Sequence, residues 1–98
     1  MKFSELSLKK VHIIGINGIG MSALAIYLKK NNIDVTGSDI TYNSNTVNLE
    51  KYKITVYVGH KITNIKDRDI IFYSSAIKNN PEIKEAKKNK IPCYNRSK

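Results

Sequence analysis

An α/β fold built on an open parallel sheet is what this sequence predicts, and three observations predict it. Short β-rich apolar runs alternate with segments of helical character along all 98 residues, as repeated β-α-β units do. The first run, from Val11, passes through Gly15, Gly18 and Gly20 straight into an amphipathic segment ending near Leu28. The fourth run, Asp69-Ile70-Ile71-Phe72-Tyr73, is almost wholly apolar, as a strand covered on both faces requires.

The first strand is expected over residues 10–16. A helix follows over 19–30, because Met21, Leu24, Ala25 and Leu28 recur at i, i+3, i+4 and i+7 and make one face. Lys29 and Lys30 suit the negative end of its dipole, and Asn31 or Asn32 can take the left-handed C-terminal cap. A second strand covers 33–38 and ends at Asp39. A weaker helix spans 45–52, with Val47, Leu49 and Tyr52 as its apolar contacts. A third strand over 54–58 closes at Gly59-His60, and residues 61–68 form a polar connection with room for one helical turn. The fourth strand is followed by Ser74-Ser75-Ala76. Asn80 caps the last helix, Pro81 fits its first position, and Glu82 and Glu85 put negative charge near its positive end. Lys87, Lys88 and Lys90 complete its polarity, and a fifth strand spans 91–94. Right-handed crossovers turn this alternation into a Rossmann-like, doubly wound sheet in the order 3-2-1-4-5. Residues 1–98 are expected to be a single domain.

With 41% hydrophobic residues a chain of this size can bury a core. No apolar run approaches the ~20 residues that span a bilayer, and the charged stretch from Met1 to Lys10 lacks a signal-peptide core. A cytoplasmic protein without a membrane partner is expected. Cys93 is the one cysteine, which excludes an internal disulfide and argues against a cysteine metal cluster. It follows Pro92 in an apolar stretch and reads as a buried structural thiol. No metal site is expected. The net charge of +9 admits an anionic partner. The lysines are scattered and not interleaved with base-stacking aromatics, so nucleic acid is not expected as a partner.

Ligands of such sheets bind beyond the carboxyl ends of the strands, near the point where strand order reverses. The segments there are 15–22, 38–42, 59–60 and 74–77, and all four carry small or polar residues. The free N–H groups and the dipole of the first helix favour an anion, so a ligand carrying a diphosphate is the first expectation. The backbone N–H groups of Asn17, Gly18, Ile19, Gly20, Met21 and Ser22 are expected to face it, with Ser22 Oγ as a further donor. The alternative is a glycine turn that serves only strand–helix packing. The Met21 side chain is expected against the sheet. A dinucleotide fingerprint asks for Gly-x-Gly-x-x-Gly. Gly15 and Gly20 hold its outer positions, while Asn17 stands at the second glycine and Gly18 follows it. Asparagine tolerates positive φ, but its side chain takes space that bare backbone leaves for a pyrophosphate.

Asp39 lies about twenty residues beyond Gly20, where an acidic residue binds ribose hydroxyls; loop capping is the alternative. Ser74, Ser75 and Ala76 can line the pocket with hydroxyls and backbone groups. No base or nucleophile-elbow pattern accompanies these serines, so no catalytic residue is assigned. His12, inside the first strand, is expected to be a satisfied core histidine, and Arg96 to fray rather than to pair with a phosphate.

Five blocks occur in a fixed order: residues His12 to Ser22 with Leu24-Ala25, Val35-Thr36-Gly37-Ser38-Asp39, Gly59-His60, Ser74-Ser75-Ala76-Ile77, and Asn80-Pro81-Glu82. Together they resemble the N-terminal domain of the Mur ligases over residues 11–96. Departures are Asn17, where glycine is usual, Lys53, where a glycine commonly precedes the third strand, and Ala23, at another frequent glycine. The resemblance implies a UDP-sugar-binding domain of a three-domain ligase, with UDP-N-acetylmuramate as partner and His60 against the uridine. It implies ATP and Mg²⁺ in the whole enzyme, which activates the muramoyl carboxylate as an acyl phosphate that the amine of L-alanine attacks. The family's lysine-bearing ATP loop does not occur between Met1 and Lys98 and is expected just beyond. The segment is therefore expected to bind without catalysing, and to need central ATP-binding and C-terminal domains. Gly18-Ile19-Gly20-Met21-Ser22 and Ser74-Ser75-Ala76 fit the alanine-adding branch better than the sister branch that attaches a recycled tripeptide. An NAD(P)-binding module of an oxidoreductase or regulatory protein, and a non-catalytic interaction fragment, are the other readings.

Overall fold

The computed structural model describes residues 8–96. Five parallel strands form one sheet in the order β3-β2-β1-β4-β5, as expected. They are β1 (Lys10–Ile14), β2 (Asp34–Asp39), β3 (Thr55–Val58), β4 (Ile70–Tyr73) and β5 (Cys93–Asn95), with α1 (Ile19–Lys30), α2 (Ser44–Lys51) and α3 (Pro81–Lys88) between them. A 3-10 turn, Ile62–Ile65, occupies the polar connection between β3 and β4.

Successive strand residues face opposite sides of a sheet, and that alternation divides the core. Val11 and Ile13 of β1 join Met21, Ala25 and Leu28 of α1 and Leu49 of α2 on one side. Ile14 joins Ile71 of β4, Ile65 of the 3-10 turn and Ala86 of α3 on the other. His12 shares the parity of Ile14, and β1–β2 pairing sets His12 beside Thr36 and Ile14 beside Ser38. Three polar side chains therefore stand among apolar ones on the α3 side of the sheet.

Where elements differ from expectation, the cause is local. β1 stops at Ile14, not residue 16, because Gly15 turns to φ 77°. The Gly15 and Ile16 N–H groups both donate to the Ser38 carbonyl, at 2.8 and 3.1 Å. That turn drives Ile16 into the core over Gly37, where a Cβ would lie 2.3 Å from Ile16 Cδ1 and 2.7 Å from its Cβ. The glycine in β2 is thus required by the loop after β1. Helix α2 begins at Ser44 because Asn43 caps it, accepting the Asn45 and Thr46 N–H groups while Thr46 Oγ1 accepts the Asn43 N–H, a reciprocal capping box. The cap moves the buried face to Thr46 and Leu49 and leaves Val47 41% exposed, against the expected contact. Asn32 takes the left-handed conformation after α1, and so does Lys53 before β3. A non-glycine residue tolerates that region at some cost. β5 lies at Cys93–Asn95 instead of 91–94, since the Ile91 N–H is spent on the Ala86 carbonyl at the end of α3 and Pro92 has no N–H to give the sheet. Cys93 is half-buried. Burial pushes its thiol up against the opposing pull of Lys87.

Overpacking a filled core costs roughly 1–3 kcal/mol. Gly37→Ala is expected to lose about that much in urea denaturation, with the m-value unchanged.

Candidate functional site

The glycine loop joins the carboxyl end of β1 to α1. Gly18 is the N-cap of α1, with φ −60° and ψ 148°, and contributes no side-chain cap; the first turn carries no acidic residue. Asn17 N–H donates to Asp39 Oδ2 at 2.9 Å, Gly18 N–H to the Gly15 carbonyl, and Ser22 N–H to the Gly18 carbonyl. The Ser22 hydroxyl donates to the Ile19 carbonyl at 3.1 Å, so its proton is turned into the helix. The six expected donors narrow to three. The amides of Ile19, Gly20 and Met21 find no partner among the described residues, and they stand at the positive end of the dipole. A Cβ on Gly20 would meet nothing within 4 Å. The Met21 side chain is buried in the core, which leaves only its amide for the site. Ile19 is 87% exposed, and the exposed Ile40 and Tyr42 flank Thr41, whose carbonyl ties the loop after β2 to the glycine loop through Asn17.

Asn17 does not lie across the loop, nor does it adopt positive φ. Its side chain is buried toward α2, accepting the Thr46 hydroxyl at 2.9 Å and donating to the Thr41 carbonyl at 2.9 Å. Its carbonyl accepts Asn45 Nδ2 at 2.7 Å. The expected conflict with a pyrophosphate is therefore corrected: the amide group is used to tie the glycine loop to the start of α2. Asp39 serves that same loop. Its two oxygens accept the Asn17 and Ile40 N–H groups, the capping role set beside the ribose role.

Behind the loop lies a buried polar network. His12 donates from Nε2 to Glu82 Oε1 at 2.9 Å and meets Thr36 Oγ1 with Nδ1 at 2.8 Å. Ser38 Oγ donates to the same Glu82 oxygen at 2.7 Å. Glu82 Oε2 accepts Asn64 Nδ2 at 2.6 Å and the Lys61 N–H at 3.1 Å. Both His12 and Glu82 are fully buried. Burial raises the Glu82 carboxyl, and the hydrogen bond and charge of His12, with bonds from Ser38 and Asn64, outweigh it and hold the group below its ordinary range. His60 reaches this network at the carboxyl edge, its Nδ1 lying 2.8 Å from Ser38 Oγ.

The loop after β4 closes the other flank. Ile77 lies over Gly15, with Cδ1 3.2 Å from where a Cβ would stand. Ser74 is half-buried, while Ser75 and Ala76 are exposed. Asn95 of β5 donates to Ser75 Oγ at 3.1 Å, so this serine is held toward the sheet's far edge. No group of three or more His, Cys, Asp or Glu side chains able to hold a metal occurs among the described residues.

The family model described as "Mur ligase family, catalytic domain" matches residues 10–98. The chain belongs to the Mur ligase family. UDP-N-acetylmuramate–L-alanine ligase of Aquifex aeolicus is 47% identical over 90 residues, which are 91% of this chain and 20% of that protein. The ligase of the same name from Rickettsia bellii is 44% identical over 98 residues, 99% of this chain and 20% of that protein. The crystal structure of UDP-N-acetylmuramate-alanine ligase from Thermotoga maritima matches with a TM-score of 0.85 at 39% identity, covering 90% of this chain and 21% of that one. A murein peptide ligase from Psychrobacter arcticus matches with a TM-score of 0.80 at 26% identity, over 87% of this chain and 18% of that one. This Mur ligase segment spans about a fifth of the length of the curated relatives it matches.

Sequence reasoning about the Mur ligase segment gave Glu82 only a helix-dipole role and a place in a family block, put Ser38 and Thr36 in another such block without assigning them a contact, and missed Asn64. The signal was His12 in an apolar strand, with polar Thr36 and Ser38 at matching parity in the neighbouring strand. A buried imidazole demands partners.

Removing the Asn17 side chain leaves the Thr46 hydroxyl and the Thr41 carbonyl short of a partner. Asn17→Gly is accordingly expected to cost roughly 1–3 kcal/mol in chemical denaturation, even though glycine is the usual family residue. For Glu82 the folded pKa is depressed, so its stabilisation is complete above the unfolded value and is lost as pH falls through the folded one. Glu82→Gln is expected to be less stable than wild type at neutral pH, with the gap narrowing from about pH 5 downward in urea melts.

Proposed function

We propose that this domain holds the UDP-N-acetylmuramate substrate of a ligase that joins L-alanine to it, as the N-terminal domain of three. The observation that carries the reading is the uncapped first turn of α1 at the strand-order reversal, where the Ile19, Gly20 and Met21 amides are free among the described residues and Gly20 leaves open space. A diphosphate supplies the acceptors and the negative charge that such an end favours. Gly15 and Gly18 shape the turn, Asn17 and Asp39 hold it, and Ser22 stiffens the first helical turn. His60 takes the uridine side, while Ser74, Ser75 and Ala76 flank the opposite side.

The alanine-adding reaction is favoured over the tripeptide-adding one by identity, 44–47% to ligases named for L-alanine against 26% to a murein peptide ligase. A nicotinamide dinucleotide is less favoured, because the family model and the relatives that match along this chain are those of ligases. ATP and Mg²⁺ belong to the whole ligase. No lysine-bearing phosphate loop occurs in this sequence and no metal-holding cluster among the described residues, so the residues present do not fit either group. The domain's own contribution is to bind and orient the sugar nucleotide for a central ATP-binding domain and a C-terminal domain. Among the described residues no helix is long and apolar enough to cross a membrane, and a cytoplasmic site of action accords with nucleotide substrates.

Titration calorimetry tests the reading with UDP-N-acetylmuramate, UDP and NAD⁺, heat from the first two alone being the expected result. Gly20→Ala separates binding from folding. Alanine in place of a helical glycine gains roughly 0.5–1 kcal/mol of stability, while a methyl group in the open space is expected to weaken UDP binding about tenfold. Unchanged affinity in that stabilised variant would remove the helix end from the site.

A further inference from the structure

We infer that Ser38 and Glu82 are positioning residues that hold His60 in the Nδ1–H tautomer and so present its Nε2 as a hydrogen-bond acceptor at the carboxyl edge of the sheet. Counting protons fixes the direction of each bond. An ionised carboxylate offers about four lone-pair sites and no proton. Glu82 receives four donors, His12 Nε2 and Ser38 Oγ on one oxygen, Asn64 Nδ2 and the Lys61 N–H on the other. Every contact to it is therefore a donation.

Ser38 has one hydroxyl proton, and it points to Glu82 across 2.7 Å. The remaining contact of that oxygen, 2.8 Å from His60 Nδ1, must then be accepted from the ring. His60 Nδ1 itself lies 3.8 Å from Glu82 Oε1, too far for a direct hydrogen bond, so the carboxylate acts on the ring only through Ser38. A neutral imidazole with its proton on Nδ1 has a bare lone pair on Nε2. Nε2 has no partner among the described residues. No buried side-chain nitrogen or oxygen is left unpartnered there, so Nε2 is open to solvent.

The consequence for recognition is one of polarity. An acceptor fixed at this edge pairs with an N–H or O–H of whatever occupies it, such as the imide of a pyrimidine or a sugar hydroxyl. It discriminates against a group that offers lone pairs alone. This clause about the ligand rests on the nucleotide-binding reading above; the tautomer does not.

Long-range ¹H–¹⁵N correlation spectra of the labelled 98-residue chain test the tautomer, recorded at about pH 8.5, above the ordinary imidazole range. His60 signals are identified by their loss in His60→Gln. The expected pattern is a protonated, pyrrole-type Nδ1 and an unprotonated, pyridine-type Nε2; the reverse assignment overturns the proposal. Ser38→Ala removes the acceptor, and the Nε2–H form is expected to become substantially populated. Retention of the wild-type pattern in that variant overturns the role of Ser38. Ser38→Cys, close in volume but a weak acceptor, gives the same reading if the alanine variant does not fold, and Ser38→Thr, which keeps the hydroxyl, is expected to restore the Nδ1–H form. With UDP as probe, Ser38→Ala is expected to bind roughly three- to tenfold more weakly than wild type, and equal affinity overturns the ligand clause. A wild-type chain with the Nδ1–H pattern that binds no UDP overturns the nucleotide reading and leaves the positioning role standing.

Discussion

One buried carboxylate ties together the parts of this sheet that meet at its carboxyl edge. Glu82 comes from α3, yet its four hydrogen bonds reach β1 through His12, β2 through Ser38, and the β3–β4 connection through Lys61 and Asn64. A charge without water is tolerated only when its lone pairs are filled, so removing any donor leaves the carboxylate short. The helix that carries Glu82 is itself fixed by Asn80, whose side chain accepts the Glu82 and Ile83 N–H groups. Sequence position, cap and network thus act as a unit: Asn80 starts the helix, Pro81 sets its first turn, and Glu82 is delivered into the sheet.

The glycine loop is organised by the same economy on the opposite face. Gly15 supplies the single left-handed turn, Ile16 plunges into the space that Gly37 leaves, and the two amides at that corner close on the Ser38 carbonyl. Ser38 therefore belongs to both systems, with its carbonyl holding the loop and its hydroxyl joining the buried network. Any strain on one is felt by the other through a single residue.

Much of the architecture was legible from the chain. Alternation of runs, the stripe of Met21, Ala25 and Leu28, and the Asn80-Pro81 start are local signals, and local signals carried the strand order once handedness was imposed. What was not legible arose from contacts distant in sequence. The shift of the α2 face from Val47 to Thr46 follows from a cap and from Asn17, 29 residues away. In the site, the glycine turn and His60 at the edge stood where expected, but the number of available amides did not, because Asp39 and the carbonyls of Gly15 and Gly18 had already taken three. Glu82 was read as a helix-dipole charge, a role its place in the first turn of α3 suits equally well; only the fold reveals that it points inward.

All three helices begin at the carboxyl edge, and they do not begin alike. Asn43 and Asn80 close the starts of α2 and α3 with their own side chains, whereas Gly18 brings none to α1. Two of the three helix starts are therefore closed by amide side chains, and among the described residues only that of α1 lacks a side-chain cap. In a chain carrying nine excess positive charges, the nucleotide-binding reading proposed above makes that inequality among neighbouring poles the source of an address within a general attraction.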